Sequence, residues 1–77
     1  MNFTVYKIMM LNKYEKRFFT ISNFHYTKQD ANKWIKLYDP DNKQTIKIKS
    51  ELRNLKDFNK TDQEQIKKEL NEALKNV

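Results

Sequence analysis

No glycine occurs anywhere in the 77 residues of this chain. Glycine is the residue that enters left-handed backbone without steric cost and lets a main chain approach a ligand closely. Phosphate-cradling loops, dinucleotide fingerprints and nucleophile elbows all depend on it, so none of them is present. Turns fall instead to Asn, Asp and the single Pro40.

The other usual supports of a small fold are missing too. There is no cysteine for a disulfide or a zinc site, and the one histidine, His25, cannot assemble a multi-histidine metal site. A chain of this length forms one domain, residues 1–77, and buries only about 60% of the surface its unfolded form exposes. Packing alone, or a partner, has to hold it. The longest apolar run, Ile8-Met9-Met10-Leu11, is far too short for a transmembrane helix or the apolar segment of a signal peptide. The expectation is a cytoplasmic protein with no membrane partner.

Charge and rings are unevenly distributed. Residues 1–49 carry ten Lys/Arg against four Asp/Glu and nine of the ten Phe, Tyr and Trp, whereas residues 50–77 are charge-balanced and hold only Phe58. Lysine outnumbers arginine fourteen to two, and asparagine occurs nine times. A-rich codons alone would produce part of that bias, so much of the lysine is read as solvated surface.

Phe3–Leu11 and Arg17–Phe24 read as two strands joined by the turn residues Asn12-Lys13-Tyr14-Glu15. Both parities of each run are apolar, which fits a central strand or one covered by helices on its second side. In residues 34–38 and 45–49, Ile35, Leu37, Ile46 and Ile48 alternate with polar or ring-bearing residues, which predicts a second hairpin about the turn Asp39-Pro40-Asp41-Asn42-Lys43. A competing reading makes residues 28–38 a helix, capped by Thr27 with Asp30 and presenting Ala31, Trp34, Ile35 and Tyr38 at helical spacing before Pro40. The hairpin is preferred. Ser50 then caps a short helix through Leu52, Leu55 and Phe58. Thr61 and Glu64 form a capping box for a longer helix with Ile66, Leu70, Ala73, Leu74 and Val77 on one face. The expected fold is α+β: a small antiparallel sheet of about four strands, with two C-terminal helices packed on one face.

On that fold the outward face of the second hairpin displays Trp34, Lys36, Tyr38, Lys47 and Lys49, with Arg17 nearby. Rings beside ammonium groups suit a nucleic-acid strand, since bases stack on rings and lysines neutralise phosphates. The bland alternative packs Trp34 and Tyr38 beneath a helix with lysines stretched over them. Two arginines leave little capacity for bidentate base reading, so sequence specificity is expected to be low.

Catalysis is not expected. His25 has Ser22 near it in sequence, but a regular strand places residues three apart on opposite faces. Asp39, Asp41 and Asn42 lack the glycine and closing glutamate of a calcium loop. No metal or cofactor is expected. The first functional reading is therefore a non-enzymatic module that binds nucleic acid or a nucleic-acid-loaded protein complex. The second is an inhibitor or adaptor that docks on an acidic surface of a host or defence enzyme, as small phage and mobile-element products do, anti-CRISPR proteins among them. A third is a homo-oligomer, such as a homodimer, with a structural role.

Overall fold

The computed structural model describes residues 1–75, and Val77 of the expected apolar stripe lies outside them. The elements run β1 (Asn2–Asn12), β2 (Arg17–His25), α1 (Lys28–Tyr38), β3 (Ile46–Asn54), a short 3-10 turn (Leu55–Asp57) and α2 (Lys60–Lys75). The architecture is α+β, with a three-stranded antiparallel sheet in the order β2-β1-β3.

The second hairpin does not form. Residues 28–38 are helical, and β3 pairs with β1 from Asn2↔Asn54 to Met10↔Ile46. Thr27 caps α1, its hydroxyl accepting from the Asp30 amide at 3.1 Å, and the Asp39 N–H closes the other end on the Ile35 carbonyl. The false alternation came from Leu37, which is 86% exposed; the helix-spaced Ala31 is the residue that is fully buried. The turn chemistry after it is local and intact. The Asp39 carboxylate accepts from the Lys43 and Gln44 amides at 3.0 and 2.8 Å, and Asn42 takes left-handed backbone (φ 55°).

Two further boundaries differ from expectation. Strand β3 runs on through Ser50 and Leu52, because Thr4 and Tyr6 of β1 pair with them, so the expected short helix shrinks to the 3-10 turn capped by Asn54. Helix α2 is capped by Asn59, whose side chain accepts from the Asp62 amide at 2.8 Å, so Thr61 lies inside the first turn.

Strand β1 is central, and its two apolar parities serve two different helices. On one face Phe3 and Val5 cluster with Leu55 and Ile66, with Tyr26, Phe58 and Leu70 against them, which places α2 there. On the other, fully buried Ile8 and its neighbours Tyr6 and Met10 lie on the α1 side, where the Tyr38 hydroxyl reaches Met10 Sδ and Trp34 meets His25. The helices thus take opposite faces of the sheet. Since α2 meets only the Phe3–Val5 end, the body is extended: its radius of gyration is 14.0 Å, against about 11.5 Å for a compact domain of this length.

Strand β2 carries two irregularities. Ile21 has no opposite number, and Asn23-Phe24 stand against the single residue Lys7, with Phe24 in left-handed backbone (φ 60°).

Candidate nucleic-acid interface

Regular pairing between β1 and β3 puts Lys7, Met9 and Leu11 on the same face as Lys47, Lys49, Glu51 and Arg53. This is the α2 face: Lys7, Lys47 and Lys49 lie beyond the Phe3–Val5 end that α2 meets, while Glu51 and Arg53 stand beside that end, opposite Val5 and Phe3. Four cations and one carboxylate therefore share one surface.

Lys7 stands directly opposite Lys49, an arrangement of like charges that destabilises a sheet. Glu51 partly relieves it, taking Lys7 Nζ at 3.1 Å on one oxygen and Arg53 Nη2 on the other. The hydrogen bond from Lys7 holds the Glu51 carboxyl below its usual range against partial burial, with the charges of Arg53, Lys7 and Lys49 acting in the same direction as Lys7's bond. Lys47 extends from β3 across β1 until its ammonium sits 4.0 Å from the centroid of the Phe18 ring. Phe18 pairs with Leu11 and so shares this face.

The residues expected to form one platform are separated. Lys47 and Lys49 lie on this face and are exposed. Trp34, Lys36 and Tyr38 belong to α1, on the opposite side of the sheet. There Trp34 stacks on Tyr38 with centroids 4.9 Å apart and planes 15° apart, while Lys36 points to solvent. Arg17 pairs with Asn12 at the hairpin end, and its Nε is 2.8 Å from Glu15 Oε2. Sequence reasoning missed Lys7, Phe18, Glu51 and Arg53. The signal was partly present in β3, where the alternation that starts at Ile46 and Lys47 resumes at Leu52 and Arg53 after one interruption at Ser50.

The bulge at Phe24 also alters the His25 geometry. It brings Ser22 and His25 to the same face, with Oγ and Nε2 2.7 Å apart, where a regular strand would separate them. Burial pushes the imidazole below its ordinary pKa, with the Asp30 carboxylate acting the other way, so the neutral ring is favoured. Its ring lies edge-on to Trp34 at 6.2 Å.

Among the described residues no group of three His, Asp or Glu side chains could hold a metal ion, and no helix is long and apolar enough to cross a membrane. In comparisons with known proteins, no family model, no curated protein and no solved structure matches the chain.

Proposed function

We propose that this protein is a non-enzymatic module that takes single-stranded or irregular nucleic acid on the open sheet face bearing Lys7, Lys47, Lys49 and Arg53. The observation that carries this reading is the Lys7–Lys49 juxtaposition within a row of cations. Folding gains nothing from like charges set opposite each other, whereas a phosphate backbone lying along the row relieves the repulsion and releases counterions. Phe18, under the Lys47 ammonium, offers one ring beside that path. Recognition is by charge and shape. Both arginines already hold glutamates, Arg17 with Glu15 and Arg53 with Glu51, which leaves little bidentate base reading.

The test is anisotropy of a labelled oligonucleotide across a salt series. Two phosphate contacts, from Lys47 and Lys49, give a log–log slope of about −1.4 on a single strand, and each contact that Lys7 or Arg53 adds steepens it by about 0.7. The double substitution Lys47→Glu, Lys49→Glu should abolish binding and leave the fold intact, because both side chains are exposed. A flat salt response, or undiminished binding by the double variant, overturns the proposal and turns attention to an acidic protein surface as the partner.

A further inference from the structure

A recessed site lies between the β2 bulge and α2, and its chemistry is opposite to that of the open basic face. The cleft has a volume of about 290 Å³ and is lined by the rings of Phe24, Tyr26 and Phe58 together with Ile66, Gln65 and the acidic residues Asp62 and Glu69. A chain with sixteen lysines and arginines places none of them in this lining.

We propose that this cleft binds an alkylammonium headgroup. Three of its features argue for such an occupant. The Phe24 and Phe58 rings meet at 6.3 Å and 70°, so they form two walls of a corner, and Tyr26 joins them through Phe3, which lies 6.3 Å from Tyr26 and 6.1 Å from Phe58. Aromatic corners of this kind attract weakly hydrated cations, whose charge interacts with the ring faces while their alkyl groups fill apolar space.

The anionic side is fixed in place before any ligand arrives. Glu69 accepts from the Tyr26 hydroxyl at 2.8 Å on one oxygen and from Gln65 Nε2 at 3.0 Å on the other. Those two bonds, Gln65's first, hold its carboxyl below the usual range, so it is ionised at neutral pH; burial together with Glu69 keeps the Tyr26 phenol protonated as the donor.

The third feature is the backbone at Phe24. A residue with a β-carbon in left-handed conformation costs about 1–2 kcal/mol, yet here it carries a ring that remains 43% exposed at the cleft mouth. Core packing does not account for that ring; a wall for a ligand does. The volume is at the small end for ligand sites, which suits a single headgroup, either a free choline-like molecule or a methylated lysine side chain.

The probes are choline, its uncharged carbon isostere dimethylbutanol, and an N-acetyl trimethyllysine amide, each titrated into the full chain and followed by NMR of the Phe24, Tyr26 and Glu69 amides. Choline should shift these signals saturably and bind at least about fivefold more tightly than the isostere. Glu69→Gln keeps an acceptor for Tyr26 but removes the charge, and should weaken choline several-fold; Asp62→Asn should do the same without touching the Tyr26 bond. Tighter binding of the trimethyllysine amide assigns the site to a protein side chain, and parity with choline assigns it to a free small cation. Absence of saturable shifts for both cations, or equal binding of the isostere, overturns the inference. Nucleic-acid binding by the Lys47/Lys49 face is read separately, so either proposal can fail alone.

Discussion

Replacing Glu51 by Gln removes the one negative charge from the cationic row, and it should move stability and nucleic-acid binding in opposite directions. Lys7 and Arg53 each lose their ion-pair partner while Lys7 still faces Lys49, so the melting temperature should fall. The same change frees two cations for phosphates. Each added contact with a single strand steepens the log–log salt dependence by about 0.7, so two steepen it by about 1.4. Extrapolated from a reference of about 1 M salt, that is up to about 25-fold tighter binding at about 0.1 M. Anisotropy of one labelled oligonucleotide, measured for both proteins over the same salt series, reads the slope, and a thermal melt without nucleic acid reads stability. An unchanged slope, or weaker binding by a variant that still folds, would refute the reasoning, because it would mean that Lys7 and Arg53 do not face the phosphates.

Other outcomes test the fold beneath this face. Ile8→Ala empties the fully buried position on the α1 side and should lower the unfolding free energy by about 3 kcal/mol in urea titrations; a loss under about 1 kcal/mol would place the core elsewhere. Asn59→Ala should destabilise by about 1 kcal/mol and Thr61→Ala by less than about 0.5, and the reverse order would return the α2 cap to Thr61. Because the folded His25 pKa lies below its ordinary 6.5, the unfolded chain takes up the proton first. The stability this provides is complete above that value and lost as pH falls through it. Urea midpoints should therefore decline from about pH 7 to about pH 5 and flatten in His25→Gln, while losses from the lowered Glu51 and Glu69 belong to pH below their ordinary 4.5. A midpoint that rises on acidification would contradict the burial assigned to the ring.

Much of the fold was legible in residue spacing, and the failures have identifiable causes. The double-sided apolar character of Phe3–Leu11 fits a central strand or one covered by helices on its second side, and β1 is central with a different helix on each face; Arg17–Phe24 carries the same character, yet β2 is an edge strand. Thr27, Asp30 and the spacing of Ala31, Trp34, Ile35 and Tyr38 held a helix signal that lost to a five-residue alternation, because Leu37 was assumed to be inside. Short windows carry both periods when one large apolar side chain is left in solvent. The candidate face was half legible. Lys47 and Lys49 follow from the β3 alternation, but Lys7 reaches them only through pairing across thirty-nine or more intervening residues, which no local pattern encodes. Phe24 was illegible for a different reason. Nothing in the segment Ser22-Asn23-Phe24-His25 says that its one apolar residue will adopt backbone usually reserved for glycine, and that displacement both joins Ser22 to His25 and builds one wall of the cleft.

The two outer margins of the sheet are guarded in different ways. Strand β2 is irregular at Ile21 and again at Asn23-Phe24, so a foreign chain finds no continuous row of donors and acceptors to copy. Strand β3 pairs with β1 without a bulge, and its own side carries Lys47, Lys49 and Arg53 against the single carboxylate Glu51, so like-charge repulsion is the guard there. On the proposed function, whatever neutralises those lysines, whether bound polyanion or concentrated salt, would also lower the barrier to joining one molecule to the next through β3, so that occupancy of the basic face would favour self-association.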